Sequence, residues 1–434
     1  MVGTGQLWSR IGVMASSRAG GPVSTSEVSS HRPMGFAEFV AIVASFIALN
    51  AFAIDMMLPA LPEIGRAMNV VRENDRQAVL TVFLIGFGIG QLAVGPLADR
   101  LGRKPLLLGG LVIYVGGALL CALAPDFTTL LAARLVSGLG AASSRVVIVA
   151  VVRDCYDGRR MASVMSFAMM IFIAVPVLAP SIGQIVVLLW PWQVIFLLFA
   201  VAGLVVMAWC ALRLPETLRP AHRRRIGAGD LAAAFKALVT HRQTLGYTLA
   251  GGIMQGGLYA FLFSAQQVLG EYYRLGPYFP LAFAAAALTI SLSSFLNARL
   301  VGRLGMRVIS HGASAAFLAL GLAFGVPVLL GGLGFAPFMV ILAAITFLIG
   351  LTFANFNALA MEPQGRIAGT ASSFLGAITT VVAVVIGGAV ANAYDGSLRP
   401  LAFGYIGVGV AVLAVLLITE HGRLFREHHR PPAL

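Results

Sequence analysis

Long apolar runs alternate along the chain with short polar turns that contain most of the charged residues. A helix of roughly 20 apolar residues is long enough to cross the hydrocarbon core of a membrane. The runs and the turns between them predict twelve membrane-spanning helices. The predicted spans are residues 36–60, 77–97, 105–124, 128–152, 161–188, 192–212, 245–269, 279–298, 308–330, 333–358, 368–392 and 401–419.

Composition leads to the same fold class. Hydrophobic residues make up 59% of the 434 residues and charged residues only 11%, whereas about 25% of the residues of a soluble domain are charged. We therefore expect an all-α membrane protein. The three cysteines, Cys121, Cys155 and Cys210, lie in or beside separate spans without metal-binding spacing, and we expect them to pack as small apolar residues.

The net charge of +13 is distributed over turns that the predicted topology places on one side of the membrane. If the N-terminus is cytoplasmic, the basic turns follow the even-numbered helices, and the opposite turns carry few Lys or Arg residues. This asymmetry is the positive-inside rule, and it places both termini in the cytoplasm. A first outer loop in which Arg66, Arg72 and Arg76 are offset by acidic residues is the exception. Because the charge forms no single patch, we expect no nucleic-acid partner.

A long polar segment divides the chain into two similar parts. The segment "RLPETLRPAHRRRIGAGD" (213–230) separates the sixth and seventh spans, and "DRLGRK" (99–104) is echoed by "GRLGMR" (302–307). Two parallel six-helix halves with a substrate site between them form a recurrent transporter architecture. The predicted organisation is a disordered N-terminal tail (1–35), a six-helix bundle (36–212), a linker (213–244), a second six-helix bundle (245–419) and a C-terminal tail (420–434).

The N-terminal tail contains no long apolar run, so residues 1–33 do not resemble a secretory signal. A disordered cytoplasmic tail is the preferred interpretation, and a true start at Met34 is the alternative.

Ionisable residues inside spans are costly and therefore indicate function. Asp55 is the only acid well inside a predicted span, and Arg134 follows an outer turn by a few residues. An ideal rise of about 1.5 Å per residue places both at a similar depth. A charge pair that responds to substrate or to a proton is one possibility for Asp55, and a hydrated residue at a helix end is the other.

A second arginine, Arg145, lies on nearly the same face of the fourth helix as Arg134, because eleven steps of about 100° almost complete three turns. Arg145 either lines the cavity, where it alters the preferred substrate charge, or has a structural role in which it pairs with a carboxylate or snorkels inward. In the second half, Gln255, Tyr259 and Asn355 are uncharged candidates for the cavity. Each of the three is equally suited to hydrogen-bonding a neighbouring helix.

The segment "GPLADRLGRKP" follows the second span, and its acid, Asp99, is not required by the positive-inside rule. This segment is similar to the loop motif of the major facilitator superfamily. Further segments resemble the Bcr/CflA drug-resistance branch of proton-coupled exporters; they are "AIDMMLPALPEI", "RLVSGLGAASS", "VVRDCY", "MSFAMMIFIAVPVLAPSIG", "PETL" and "IAGTASSFLG". The resemblance implies the major facilitator fold.

The resemblance also assigns roles to residues. It implies that Asp99 and Arg103, with Arg100 and Gly102 in the same turn, form a latch that holds the halves together when the carrier faces outward. It implies a functional acid at Asp55. Helix five matches the antiporter motif in part, through the bend-forming residues Pro176, Pro180 and Gly183.

These observations favour proton-coupled export of small organic molecules, including antibiotics, across the bacterial inner membrane. The expected partners are a small-molecule substrate, protons and the lipid bilayer, and the proton gradient drives transport without a cofactor. Export of a metabolite such as an amino acid is the alternative, and a non-transporting scaffold is a more distant one. An enzyme is disfavoured because the spans contain no hydrolase or zinc-protease motif and no paired acids.

Overall fold

In the computed structural model, residues 34–218 and 228–425 are described, and Pro33–Leu434 form one compact unit. Those described ranges contain helices and connecting turns, with no strand. The twelve long helices are α1 Phe36–Asp55, α2 Ala78–Leu101, α3 Arg103–Ala122, α4 Phe127–Cys155, α5 Gly158–Leu189, α6 Gln193–Arg213, α7 Arg242–Ala265, α8 Phe279–Leu304, α9 Met306–Leu329, α10 Phe335–Met361, α11 Ala368–Asn392 and α12 Arg399–Thr419.

Shorter helical segments connect several of these helices. Helices Leu58–Ala60, Leu61–Ala67 and Glu73–Gln77 join α1 to α2, and Ala228–Thr240 precedes α7. A π-helical segment, Gln266–Tyr272, continues α7, and Gly276–Tyr278 leads into α8. The segment Glu362–Ile367 joins α10 to α11. The predicted N-terminal tail and part of the linker lie outside the described residues.

The predicted twelve-helix fold is confirmed, with small changes at the boundaries. Within the described ranges, ten helical segments are long and apolar enough to cross a membrane. Helix α7 is not among them because its glycines and polar residues make it less apolar. Within α5, the described residues Ala174–Leu189 form a shorter apolar helix. Helix α2 continues to Leu101, so Asp99 and Arg100 are helical and the predicted turn is reduced to Gly102.

Glycines bring the helices of the N-terminal half into backbone contact. A Cβ at Gly86 of α2 would meet the carbonyl of Leu135 in α4, and a Cβ at Gly138 of α4 would meet the carbonyl of Phe83 in α2. Lipid supplies little hydrophobic drive between helices, so such close packing is a principal source of their association. The α2–α4 pair therefore forms a rigid framework for the residues that it carries.

The two halves meet mainly along two helix pairs, α2 with α11 and α5 with α8. Gly88 of α2 packs against Thr380 and Val381, and Gly95 packs against Ser373 nearer the end of the helix. These contacts involve small side chains with few directional bonds. The seam also contains a buried hydrogen bond, from Gln91 of α2 to Thr380 of α11 at 3.3 Å, and further polar contacts between the halves lie at one end of the bundle.

The bundle has two chemically different ends. We call the end with the Asp99–Lys104 turn the basic end, and the other the opposite end. Gly102 and Gly305 begin α3 and α9 at equivalent places at the basic end, with positive φ values of 108° and 80°. This backbone conformation is essentially restricted to glycine. The similar segments 99–104 and 302–307 therefore form the same glycine turn in the two halves.

We predict that Gly138→Ala lowers the stability of the bundle by about 1–3 kcal/mol, because the new methyl group would overlap the Phe83 carbonyl. Gly116→Ala in α3 is the matched control, since open space surrounds this position and alanine favours a helix. The measurement is thermal unfolding in detergent, monitored by thiol labelling of the buried Cys121 and Cys210 as they become exposed. Equal midpoints for the two variants would contradict the close-packing account.

Candidate functional site

Asp55 lies at the end of α1 and is buried, with 6% of its surface exposed. Gly183 of α5 closes over this position, because a Cβ there would meet the carbonyl of Met56. Across the described ranges 34–218 and 228–425, no cation forms an ion pair with Asp55. Asp55 is therefore a helix-end acid, as one interpretation of the sequence has it. It is buried, however, whereas that interpretation expected a hydrated residue.

Arg134 holds this region through backbone carbonyls instead of through Asp55. Its guanidinium donates from Nε to the Val79 carbonyl at 3.0 Å and from Nη2 to the Ala53 carbonyl at 3.0 Å. Its Cζ lies 4.2 Å from the centre of the Phe83 ring. The Ala53 carbonyl is available because the amide of Met57 donates to Ile54. Arg134 therefore does not form the suggested charge pair with Asp55. Its positive charge lies instead at the C-terminal end of α1, which is the negative end of the helix dipole.

The predicted bend residues of α5 lie against this region. Pro176 and Pro180 are inside α5, which continues as one helix from Gly158 to Leu189. Each proline removes a backbone donor from the helix, and Gly183 follows on the side that contacts α1. This arrangement lets α5 pack on the backbone next to Asp55. The roles proposed for the three residues in transport stay predictions.

Arg145 is exposed, in contrast to Arg134, which is 1% exposed. Its Cζ lies 5.9 Å from the centre of the Phe87 ring on α2. Among the described residues no carboxylate forms an ion pair with Arg145. The described structure thus does not show the carboxylate partner that one interpretation of the sequence requires for Arg145.

The candidates of the C-terminal half separate into two groups. Gln255 donates to the Tyr259 hydroxyl at 3.1 Å, and Tyr259 interacts electrostatically with both Arg145 and Asp55 of the other half. Asn355 instead exchanges hydrogen bonds with Asn297 of α8 at 2.8 and 3.4 Å. Gln255 and Tyr259 therefore bond to each other within α7, whereas Asn355 makes a helix–helix bond within its own half.

At the basic end, Arg103 is the centre of a charged network. Its Nη1 lies 2.7 Å from Asp99 and its Nε lies 3.0 Å from Asp154 of α4. Glu216, after α6, accepts the amides of Arg103 and Lys104 at 2.9 and 3.3 Å. These amides belong to the first turn of α3, where a carboxylate stabilises the helix dipole. A Cβ at Gly102 would meet the Glu216 carboxylate.

The described part of this network lies wholly in the N-terminal half, in α2, α3, α4 and the segment after α6. The expected latch between the halves is therefore absent from the hydrogen bonds of this conformation, and Arg100 is exposed. The contacts that do reach across at this end include Gly95 opposite Ser373, and Arg153 beside Gly369. The gating roles of Asp99, Arg100, Gly102 and Arg103 stay predictions.

The second half has a counterpart of the network. Arg307, after the Gly305 turn, donates from Nε to Glu420 at 3.0 Å, and Tyr247 of α7 donates to the same carboxylate. Burial raises the pKa of Glu420, but the hydrogen bonds from Tyr247 and Arg307 outweigh burial and leave this pKa below its ordinary value. The charged form of Glu420 therefore stabilises the folded state above that ordinary pKa, and this contribution is lost as the pH falls through the lowered pKa.

The opposite end joins the two halves by polar contacts. Arg76 pairs with Glu271 of the π-helical segment. Asn74 donates to the carbonyls of Asn392 and Tyr394 at 2.9 and 2.7 Å, and Gln267 donates to Asn74 at 2.6 Å. We call these six residues the opposite-end lock. Arg76 thus pairs with the other half and not with the acids of its own loop.

Sequence reasoning did not identify the acids that complete these networks. Asp154 and Glu271 lie near the ends of helical segments, and Glu216 and Glu420 follow the ends of α6 and α12. An acid at such a position is usually a solvated residue. The segments "VVRDCY" and "PETL" contained two of them and were noted for their resemblance alone. A basic residue repeated at equivalent turns was the available signal that acids were needed nearby.

Comparisons with known proteins agree with this architecture. A family model described as Major Facilitator Superfamily matches residues 42–388. An uncharacterized MFS-type transporter, YdgK of Bacillus subtilis, is 31% identical over 362 residues, which cover 82% of this chain and 89% of the relative. A bicyclomycin resistance protein homolog of Haemophilus influenzae is 30% identical over 387 residues, which cover 88% and 96%.

A solved structure shows the same fold at low sequence identity. The xylose transporter XylE of E. coli, in a partially occluded inward open conformation, superposes with a TM-score of 0.66 at 13% identity. The match covers 90% of this chain and 98% of that one. The likeness concerns the fold alone.

We predict that Arg103→Ala lowers the unfolding midpoint in detergent, because Asp99 and Asp154 would lose their shared cation. Hydrogen bonds to charged groups are worth about 1.5–3 kcal/mol each, and partial exposure of the two acids reduces that value. Arg100→Ala removes an equal charge from the same turn at an exposed position and is expected to be neutral. A similar loss in both variants would show that the turn acts only through its net charge.

Proposed function

Because the chain belongs to the major facilitator superfamily, we propose that it exports small organic molecules, antibiotics among them, across the bacterial inner membrane in exchange for protons. Members of this superfamily are transporters, so the protein is a multi-pass membrane transporter and not an enzyme. The similarity to a bicyclomycin resistance protein homolog supports our proposal that this protein transports drugs outward. The substrate is a small molecule.

We assign the basic end to the cytoplasm. Arg100, Arg103 and Arg303 lie beside the turns at that end, and cytoplasmic loops are enriched in Lys and Arg. Both termini then lie in the cytoplasm. The opposite-end lock faces the periplasm in this orientation.

The distribution of polar contacts between the halves carries the proposal. The Arg76–Glu271 ion pair and the Asn74 bonds join the halves at the periplasmic end, while the described charged networks at the cytoplasmic end remain within single halves. A carrier that closes one end at a time needs separable contacts of this kind. The observed contacts fit a conformation that is closed toward the periplasm.

Asp55 is our candidate for the coupling proton. It is buried without a cation partner at the periplasmic end of α1, close to the lock. Opening of the periplasmic end would hydrate this acid, and closure would remove water from it. A carboxyl group in that position is able to gain and lose a proton as the halves rock.

The general test is transport of a compound panel in proteoliposomes with an imposed pH gradient. Export of at least one antibiotic against its own gradient, only when the proton gradient is present, is the expected result. Gradient-independent transport of every compound would contradict proton coupling, and no transport of any compound would contradict export.

We predict that Glu271→Gln weakens the lock and exposes the seam between α2 and α11. The readout is maleimide labelling of Thr81→Cys, next to Gly388, in a variant with the three native cysteines replaced by serine. A several-fold faster reaction from the periplasmic side is expected. Arg72→Ala breaks only the exposed Arg72–Asp75 pair and is expected to leave the rate unchanged. An unchanged rate in Glu271→Gln would mean that the ion pair does not hold the end closed.

We predict that Asp55→Asn abolishes uphill export driven by the pH gradient but preserves downhill exchange, because an amide does not carry the proton. Proteoliposome transport with and without the gradient separates the two activities. Glu73→Gln, which neutralises an exposed acid at the same end, is the control and should pump normally. If Asp55→Asn still pumps uphill, another residue carries the coupling proton.

A further inference from the structure

The exposed positions of α4 lie on two opposite faces. Ala132 and Val136 are exposed near the periplasmic end. Arg145, Val149 and Arg153 are exposed nearer the cytoplasmic end, at intervals of four residues. Nine residues separate Val136 from Arg145, which is a rotation of about 180° around the helix. The second face is therefore not a continuation of the first.

Contacts show that the second face points toward the C-terminal half. Arg145 lies beside the Phe87 ring of α2, and the next residue of α2, Gly88, packs on Thr380 and Val381 of α11; Arg145 is also electrostatically coupled to Tyr259 of α7. Two turns further along, the guanidinium of Arg153 lies 3.9 Å from the position that a Cβ of Gly369 in α11 would occupy. The exposure of Arg145 thus belongs to the space between the halves and not to the lipid surface.

The hydrogen-bond donors of Tyr259 and Arg145 are not all used within the described structure. Tyr259 is 8% exposed, and its hydroxyl oxygen accepts a hydrogen bond from Gln255. In the described part of the chain, the hydroxyl proton of Tyr259 and the guanidinium of Arg145 have no hydrogen-bond acceptor. Both groups therefore keep N–H or O–H donors that no described residue accepts, and Arg145 adds a positive charge.

An arginine at membrane depth is costly unless water or a counter-charge reaches it. Arg134 meets this cost with two backbone carbonyls and an aromatic ring. Within the described ranges, Arg145 has the Phe87 ring at 5.9 Å from its Cζ and no hydrogen-bond or ion-pair partner.

We infer that Arg145 and Tyr259 form an anion-binding subsite that receives the carboxylate, or a similar acidic group, of an exported organic molecule. Arginine binds carboxylates through two parallel N–H donors, and the Tyr259 hydroxyl adds a third donor. Arg153 marks the cytoplasmic approach to this subsite. The inference rests on the proposed export function, because it takes the space between the halves as the substrate path.

The test is equilibrium binding to the full-length protein in detergent, which does not depend on transport. The probes are nalidixate and its neutral primary carboxamide, which differ by one charge at nearly constant shape, and the cation ethidium. The wild type is expected to bind nalidixate about ten-fold or more tightly than the carboxamide, the size of one charge-assisted contact. Arg145→Gln should remove this preference without weakening ethidium binding.

Two further variants separate a binding role from a structural one. Arg145→Lys keeps the charge and should retain part of the preference. Arg299→Gln removes an exposed arginine whose contact is a ring of its own helix, Phe295, and should have no effect. The inference is overturned if the wild type binds nalidixate no better than the carboxamide, or if Arg145→Gln weakens all three probes equally.

Export and the subsite fail in distinguishable ways. Uphill ethidium export without any preference for nalidixate over its carboxamide would leave the export proposal standing and remove the subsite. A preference that depends on Arg145, in a protein that exports no probe, would leave the subsite and remove the export proposal.

Discussion

Charge inside a membrane must be neutralised, hydrated or paired, and this constraint governs the arrangement of the polar residues in this protein. Arg134 is neutralised by carbonyls at the end of α1 and in the first turn of α2, and this fixes the position of both helices against α4. Asp55 is placed two residues beyond one of those carbonyls, and no cation of the described residues pairs with it. The same constraint makes Arg134 structural, and our proposal assigns the coupling proton to the neighbouring acid.

The halves are held together by two kinds of contact with different consequences. The central seam of α2 and α11 uses small residues, such as Gly88 opposite Val381, and such surfaces tolerate rocking because few directional bonds break. The opposite end, which we assign to the periplasm, uses the Arg76–Glu271 pair and the Asn74 bonds, which are directional. An equilibrium between conformations is then set by contacts at the ends, where ligands and protons reach them.

Each half also has its own network of basic and acidic residues at the basic end, and the two networks are built on the repeated glycine turn. Arg103 in the first half and Arg307 in the second each bind an acid from a neighbouring helix end. These bonds hold the helices of one half together as a unit. Rigid halves are what a rocking mechanism needs, because motion at one end is then transmitted to the other.

The sequence predicted the helices well because span length and loop charge are strong local signals. The boundaries of α11 and the position of Gly102 follow directly from these signals. The sequence did not predict which charged residues pair with each other. Arg76 and Glu271 lie almost 200 residues apart in the chain and meet only because the two halves pack together. For Arg134, helix depth suggested an acidic partner, whereas the free carbonyl of Ala53 became evident only from the termination of α1.

Reciprocal motion of the two ends is the central claim, and distances between spin labels test it most directly. One pair joins the exposed positions Val71 and Tyr278 at the periplasmic end, and the other joins Arg100 and Arg303 at the cytoplasmic end. Double electron–electron resonance should show the first distance lengthening while the second shortens when an exported compound and acidic pH shift the conformation. Distances that stay fixed, or that lengthen at both ends together, would contradict alternation between the ends.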